Sequence, residues 1–496
     1  MIQLKGIVIS LFALNFLVTY HFVDWMKDPF LDGKRNDYKY SDQWEAYLES
    51  IKKGPHIHKV LNDDNYCDSV KEYRDKFPVI LNSEGLPIIS DRILYSNFPN
   101  WYFVKKILGN FTSLILNNHT DSNSHNVFRT RLPLNITFFY HMTTNYHEGK
   151  QIDTQFLCKG QRYNHIPGNF YLDGKDYNAL DYREYKSYYQ NRQNCWEDFL
   201  PKTLILSEYE DCKEFMNDLE ENVLKNDIKW VYKKARDSNQ GRGVKIVTKD
   251  IEKNIIDDYI KNGKCQDGFI AQEYMRKPFL VDGRKFDFRV YMVVASMDPL
   301  IVLYHDGFLR LTAAKYEAES NESWRHITNI REAKIYLETS NFTESESSKI
   351  IESLDMTFSE FSSYLYSSHN YKHDFFSKHF RPHAKKIMLH LIRMNYNRLL
   401  KHPRVFEIFG VDFMMDSEMR LWLIEVNTDP GIAEITKDMG KINIKFLKDL
   451  IDIEYSLEYS PIIFDSILKR SNFHMVLDGR VKGYKRYQGI INQECI

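Results

Sequence analysis

The sequence predicts a mixed α/β (α+β) fold, and three segments support the prediction. Residues 404–431, RVFEIFGVDFMMDSEMRLWLIEVNTDPG, contain two apolar runs joined by a polar turn at residues 416–418, a pattern typical of a β-hairpin. Residues 229–247, KWVYKKARDSNQGRGVKIV, combine a strand, a glycine-rich loop and a second strand. Residues 331–400 are polar and have helical periodicity. Strands and helices therefore occur together along the chain.

The preceding half predicts further elements of both kinds. Short apolar runs between residues 76 and 140, broken by Pro and Asn, predict strands of a small α/β domain. Residues 180–200 predict a helix that ends before Pro201, and 203–207 predict a strand. Residues 208–227 have helical periodicity with many acids. None of these segments contains a motif that indicates chemistry.

The C-terminal hairpin predicts a metal site. Because side chains alternate along a strand, we expect Leu421, Leu423, Glu425 and Asn427 on one face, with Asp412 on the neighbouring strand. Two carboxylates and an amide are hard oxygen ligands that suit Mg²⁺. The alternative is a surface hairpin with stray acids. It is disfavoured because the flanking residues are apolar, and burying an unpaired acid costs on the order of several kcal/mol of folding free energy.

The composition limits the functional classes. With 496 residues, 43% hydrophobic and 27% charged, the chain is long enough for two or three globular domains. The net charge of −1 gives no global electrostatic case for nucleic acid, so a polyanionic partner must meet a local basic patch. The candidates for that patch near the C-terminus are Arg470, Arg480, Lys482, Lys485 and Arg486.

Cysteine usage and the N-terminus point to different compartments. The six cysteines are scattered and form no C-x-x-C pair, which predicts free thiols in a reducing compartment rather than disulfides or a zinc site. Residues 7–23 are largely apolar, and they fit a signal peptide or marginal anchor as well as a buried element. Asn-x-Ser/Thr triplets begin at Asn110, Asn118, Asn135, Asn321 and Asn341, but a chain this rich in Asn, Ser and Thr yields such triplets by chance, so they carry little weight by themselves.

The glycine-rich loop predicts a phosphate contact. Gly241 and Gly243 remove side chains where a phosphate could approach, and Lys233 and Lys234 end the preceding strand. A hairpin that folds over phosphates fits better than a P-loop, because no helix start and no GKS/T follow. A plain β-turn is the alternative if the loop is considered alone.

Two later strands support a nucleotide site. In FIAQEYM, the amide and backbone groups of residues 272–275 could bind a nucleobase edge. Lys285, Asp287 and Arg289 then alternate with apolar residues and share one face, which suits an anionic substrate. The alternative is an interstrand ladder of salt bridges, worth only about 0–1 kcal/mol if exposed.

Five blocks in order resemble the tubulin tyrosine ligase-like family, ATP-grasp ligases that add amino acids to tubulin. They are KKARDSNQGRGV, QEYMRKPFLVDGRKFDFRVYM, LYHDGFLRLTAAKY, HITN, and GVDFMMD with LWLIEVNTDPG. The resemblance covers residues 229–438, and the N-terminal part matches only loosely. It implies an ATP-grasp fold with an N-terminal α/β domain, a central domain and a C-terminal metal-binding sheet. The predicted divisions are 1–27, 28–200, 201–295, 296–455 and a basic tail, 456–496.

The resemblance also implies residue roles. Mg²⁺ ligands correspond to Asp412, Glu425 and Asn427, and the catalytic arginines to Arg289 and Arg310, with Arg310 holding the carboxylate of the incoming amino acid. A salt bridge to Asp306 is the structural alternative for Arg310. ATP contacts correspond to Lys233, Lys234, Gln240, Gly241, Gln272, Glu273, Tyr274, Met275, Lys285, Asp287, Thr328 and Asn329. Lys234 has the family's spacing to Gly241 and Lys233 its spacing from Trp230, so both stay candidates.

The implied reaction uses ATP and Mg²⁺. A tubulin carboxylate attacks the γ-phosphate to give an acyl phosphate, which the amino group of a free amino acid then displaces. The expected partners are tubulin C-terminal tails and that amino acid, for which glutamate is preferred over glycine or tyrosine. The expected location is the cytoplasm, the cytoskeleton or a cilium. Ligation to another protein tail and an inactive microtubule-binding relative are the alternatives.

Overall fold

The computed structural model describes most of the chain from residue 157 onward. Its described parts are residues 66–78, 83, 157–189, 197–222, 229–236, 243–428, 430–432, 435–487 and 490, with the backbone of 92–96, 113–116 and 136–141. The apolar segment 7–23, the predicted contacts Gln240 and Gly241, and the triplets at Asn110, Asn118 and Asn135 lie outside these residues. Within the described residues, no helix is both long and apolar enough to cross a membrane.

Helices and strands alternate along the described chain, which confirms the mixed α/β class. The helices are α1 (Tyr66–Lys76), α2 (Phe170–Asp173), α3 (Lys175–Tyr189), α4 (Tyr209–Asn222), α5 (Lys249–Asn262), α6 (Ile330–Thr339), α7 (Glu344–Glu352), α8 (Phe358–His369), α9 (Arg381–Asn395), α10 (Lys437–Tyr459) and α11 (Phe464–Arg470). The strands are β1 (Arg92–Ser96), β2 (Ser113–Leu116), β3 (Ile136–His141), β4 (Arg162–Tyr163), β5 (Thr203–Ile205), β6 (Trp230–Lys234), β7 (Val244–Ile246), β8 (Phe269–Glu273), β9 (Leu280–Val281), β10 (Arg284–Met297), β11 (Leu300–Leu311), β12 (Asp355–Thr357), β13 (Glu407–Met415), β14 (Leu421–Asn427) and β15 (Phe473–Asp478).

The described strands form three sheets. A parallel sheet has the order β2-β1-β3-β4. A small antiparallel sheet has the order β5-β8-β6-β7. The largest sheet is antiparallel, with the order β12-β11-β10-β13-β14, and β15 and β9 pair with β11 and β10. The predicted division of the chain into domains stays a prediction.

The long strand β10 organises the large sheet. Alternate residues Phe286, Phe288 and Val290 pack on one face in a buried cluster that includes residues of α8 and α9. On the other face, Tyr291 and Val293 pack against residues of α10. Each large apolar side chain buried in this way contributes ~1.5–3 kcal/mol. Alternation puts Lys285, Asp287 and Arg289 together on the same face as Tyr291 and Val293, and the sequence analysis predicted that these three share a face.

The hairpin β13–β14 contains a β-bulge that the alternation rule missed. Asp412 pairs with Glu425, whereas the next residue, Phe413, pairs with Leu423, so Ile424 is the extra residue. The prediction that Leu421 and Leu423 share a face with Glu425 and Asn427 is therefore wrong. The leucines enter the apolar cluster with Phe413. The bulge reverses the alternation, so that both polar residues lie beside Asp412.

The C-terminal segment is folded rather than a tail over residues 456–487. The helix α10 continues to Tyr459, and β15 pairs with residues 301–305 of β11. Val476 and Leu477 are buried in the main cluster. Within the predicted basic tail, residues 456–487 are therefore folded onto the large sheet.

The cysteine prediction is also wrong. Cys67 is disulfide-bonded to Cys158, and Cys212 to Cys265, across sequence separations of 91 and 53 residues. These four are all the cysteines that the structure describes, and none of them is a free thiol. Spacing along the chain did not reveal these pairs because each one joins elements that only the fold brings together.

Candidate active site

Four charged residues on three adjacent strands form a row, in which Asp287, Arg289 and Asp412 are buried and Arg310 is half-buried. The register pairs Asp287 of β10 with Arg310 of β11, and Arg289 of β10 with Asp412 of β13. Arg310 donates from Nε to Asp287 Oδ1 at 2.7 Å and from Nη2 to Asp412 Oδ2 at 2.8 Å. Arg289 donates to the same Asp412 from Nε at 2.5 Å and from Nη2 at 2.9 Å. Two arginines thus hold one carboxylate from two sides.

The two carboxylates of this row differ in their acidity. Burial alone would raise the pKa of Asp412, but the charges of Arg289 and Arg310 outweigh it and hold that pKa well below its usual range. For Asp287, burial prevails over the attraction of Arg310, so its pKa is raised. Its second oxygen accepts a hydrogen bond from the Thr328 hydroxyl. Asp412 is therefore a fixed anion, whereas Asp287 is easier to protonate.

A glycine makes room for the row. A Cβ at Gly410 would lie 3.3 Å from Arg289 Nε and 2.8 Å from the Cβ of Pro430. The second distance is shorter than side chains tolerate. Gly410 therefore lets the guanidinium and the loop after β14 approach the same strand.

The three predicted metal ligands converge. Asn427 Nδ2 lies 3.4 Å from Asp412 Oδ2 and 3.3 Å from Glu425 Oε1. Two carboxylates and an amide fit the oxygen-rich coordination of Mg²⁺, provided that the amide presents its oxygen. An ionised carboxylate oxygen can accept two hydrogen bonds. Among the bonds described, Asp412 Oδ1 accepts one, from Arg289, so that oxygen keeps an acceptor position. No group of three or more His, Cys, Asp or Glu that could hold a metal occurs among the described residues.

Two buried lysines lie near these acids. Burial lowers the pKa of Lys233 to about 8, with the charges of Glu425, Lys175 and Asp412 as smaller influences. Burial and then the charge of Lys233 lower the pKa of Lys285 to about 7. Lys285 Nζ lies 4.2 Å from the centre of the Tyr274 ring, a cation–π distance. Such lysines favour an anionic ligand, which would restore their charge.

The structure separates the two candidate loop lysines. Lys233 is buried, and its Nζ donates to Gln272 Oε1 at 2.6 Å. Lys234 follows it on the opposite side of β6 and is exposed, beside Gly243. Only Lys233 therefore belongs to the charged environment of Glu425 and Asp412.

The predicted nucleobase segment is partly engaged within the protein. The Gln272 amide also donates to Thr203 Oγ1 at 3.0 Å, so its side chain is held by two neighbours. Tyr274 is buried, and its hydroxyl lies 2.6 Å from His326 Nδ1. Glu273 is exposed and Met275 half-buried. Asn329 caps α6, because its side chain accepts from the backbone of Glu332.

Sequence reasoning missed Lys175. It begins α3, and its Nζ lies 3.4 Å from Glu425 Oε2 with only 9% of the side chain exposed. Its backbone N–H donates to the carbonyl of Ala235, and Arg236 pairs with Asp176 at 2.6 Å. The start of α3 therefore fixes the beginning of the glycine-rich loop. No local pattern around Lys175 indicated this role, because its partner is 250 residues away.

The family model described as "Tubulin-tyrosine ligase family" matches residues 153–462. Mouse "Tubulin polyglutamylase TTLL7" is 31% identical over 294 residues, which are 55% of this chain and 29% of that protein. The "Probable beta-tubulin polyglutamylase" of Tetrahymena thermophila is 29% identical over 311 residues, 59% of this chain and 24% of that protein. These matches span about a quarter of each relative's length.

A shorter relative is matched over most of its length. The "Probable tubulin polyglutamylase ttll-9" of Caenorhabditis elegans is 26% identical over 347 residues, 66% of this chain and 76% of that protein. The matched family region contains the large sheet through β14, the small sheet and the whole charged row. With its mixed sheets and helices in the ATP-grasp-like arrangement of that family, the chain belongs to the tubulin-tyrosine ligase family.

Proposed function

We propose that this chain is an ATP-dependent ligase that attaches glutamate to the C-terminal tail of tubulin through an acyl phosphate. The observation that supports it most is the joined set of Arg310, Asp287, Asp412 and Arg289 beside the buried Lys233 and Lys285. Relatives named as tubulin polyglutamylases support glutamate and tubulin as substrates. This candidate requires the chain to meet microtubules in the cytoplasm or a cilium.

Lys233 and Lys285 would bind the phosphates of ATP. Both are buried with a depressed pKa, so a phosphate within reach would favour their charged form and gain a strong hydrogen bond. Lys175 would hold Glu425 in position from the start of α3. Asp412, Glu425 and Asn427 would hold Mg²⁺, which when bound neutralises charge on the phosphates.

Arg310 can hold a substrate carboxylate without leaving its partners. Its Nε and Nη2 bind Asp287 and Asp412, which leaves the Nη1 donors of a side chain that is 21% exposed. The alternative partner Asp306 is paired with Arg381 at 2.5 Å. We therefore assign Arg310 a double role, in which the buried carboxylates aim its guanidinium and its free edge binds the incoming amino acid.

A second candidate is the same ligation on an acidic protein other than tubulin. The two disulfide bonds favour it, because disulfides are rare in the cytosol, where tubulin is found. A third, an inactive relative, has a parallel in human "Inactive polyglycylase TTLL10", 24% identical over 260 residues. The complete row of charged residues argues against it in this chain.

Mass spectrometry of acceptor peptides separates these candidates. The purified chain would be incubated with ATP, Mg²⁺ and glutamate, glycine or tyrosine, and with peptides copying the α- and β-tubulin tails. We expect a mass increment of one or more glutamate residues, and none with Glu425→Gln. Increments on an unrelated acidic peptide alone would favour the second candidate. ATP binding without any ligation in all mixtures would favour an inactive relative.

A further inference from the structure

We propose that this chain folds in the lumen of the secretory pathway and carries N-linked glycans at Asn321 and Asn341. A chain in this lumen does not meet cytoplasmic microtubules, so the proposal favours the second candidate function, the same ligation on an acidic protein other than tubulin. The ligase chemistry itself is tested separately. Its support comes from the disulfides and from the positions of these two Asn-x-Ser/Thr triplets.

The disulfides are built into the core of the fold. Cys212 and Cys265 are 7% and 6% exposed and pack with Phe215, Trp230 and Tyr232 in the cluster behind the small sheet. Cys158 is 3% exposed and ties the start of the family region to α1. Disulfides in such positions are typical of proteins that fold under oxidising conditions. All four cysteines that the structure describes are paired.

Both triplets lie where a glycan could be attached. Asn321 and Asn341 are exposed, and no hydrogen bond of either side chain occurs among the bonds of the described residues. Asn321 lies on the connection between β11 and α6, and Asn341 on the short link between α6 and α7. The middle residues are Glu322 and Phe342, and neither is proline, which would block the transfer. Surface connections of this kind are the usual positions of N-glycans.

The geometry keeps the Asn341 glycan away from the active site. The helix α6 begins next to Asn329 and ends at Thr339. At 1.5 Å per residue its ten residues span about 15 Å, so Asn341 lies beyond the far end of the helix from Thr328. A glycan at Asn341 would therefore leave the charged row open.

The Asn341 triplet offers a matched pair of variants. Thr343 caps α7, because its hydroxyl accepts from the backbone of Glu346. Replacing Thr343 with alanine would therefore remove the cap as well as the glycan signal. Asn341→Gln removes only the glycan acceptor, whereas Thr343→Ser keeps both the cap and the triplet.

The experiment uses the full chain with its own N-terminus, produced in cultured eukaryotic cells without any added signal sequence. Thiols are alkylated at lysis without reductant, and the protein is mapped before and after treatment with peptide N-glycosidase F. We expect Cys67 linked to Cys158, Cys212 linked to Cys265, and conversion of Asn321 and Asn341 to Asp by the glycosidase. Asn341→Gln should lose one glycan and Thr343→Ser none.

Two outcomes would overturn the proposal. One is a chain whose mass the glycosidase leaves unchanged, whatever the state of its cysteines. The other is alkylation of Cys212 and Cys265 without prior reduction. In either case the ligation assay on acceptor peptides still decides the proposed function, since it needs only purified protein.

Discussion

Replacing Arg310 with alanine tests the charged row directly. The change leaves Asp287 buried with a hydroxyl from Thr328 as its remaining described partner, whereas Asp412 keeps Arg289. Breaking a buried ion pair by removing one partner costs about 3–5 kcal/mol. Because one of the two carboxylates stays paired, we expect the lower end, about 3 kcal/mol. At ~2 °C per kcal/mol for a large domain, the Tm should fall by about 6 °C.

The pH dependence gives this prediction a second readout. The pKa of Asp287 is raised by burial even with Arg310 present, and losing the guanidinium raises it further. A carboxyl group whose folded pKa lies above its unfolded value contributes less stability as the pH rises between the two values. The Tm gap between the wild type and Arg310→Ala should therefore be smaller near pH 5 than near pH 8.

Arg381→Ala is the matched control for Arg310→Ala. Arg381 makes a two-pronged pair with Asp306, at 2.9 and 2.5 Å, but both side chains are about one quarter exposed. Its loss should lower the Tm less and leave ATP binding unchanged. Thermal unfolding of the three proteins at two pH values is the assay. An unchanged Tm in Arg310→Ala, or a gap that widens toward pH 5, would refute the account of the row.

Three further predictions follow from the same structure. Glu425→Gln should abolish ligation while lowering the free energy of unfolding by less than about 1 kcal/mol, because Glu425 is partly exposed. A large loss of stability would count against a metal-ligand role. ATP binding at pH 8 should take up protons, since the pKa of free Lys285 is about 7 and bound phosphate raises it; calorimetry in two buffers of different ionisation enthalpy measures this uptake, and Lys285→Met should reduce it. The double variant Cys212→Ser with Cys265→Ser should lose about 4 kcal/mol from the chain entropy of a loop of this length, and dithiothreitol should lower the wild-type Tm by more than that of the variant, which keeps only the Cys67–Cys158 bond of the two described disulfides.

The local pattern of the sequence predicted the fold class and identified several residues of the candidate site. Alternation along β10 placed Lys285, Asp287 and Arg289 on one face, because the period of a regular strand is two. The hairpin motif identified Asp412, Glu425 and Asn427 together, and the structure brings them together. These features depend on neighbours within a few residues, and local propensity is sufficient to predict them.

The tertiary structure decided whatever depends on distant partners or on an irregular backbone. The bulge at Ile424 reversed the expected face of Glu425, because one extra residue shifts a period of two. Arg310 is paired with Asp287 and Asp412 rather than with its near neighbour Asp306 because strand register, not sequence distance, sets which charges meet. Cys212 and Cys265 are paired for a similar reason: the start of α4 and the segment after α5 are distant in the sequence and meet in the tertiary structure.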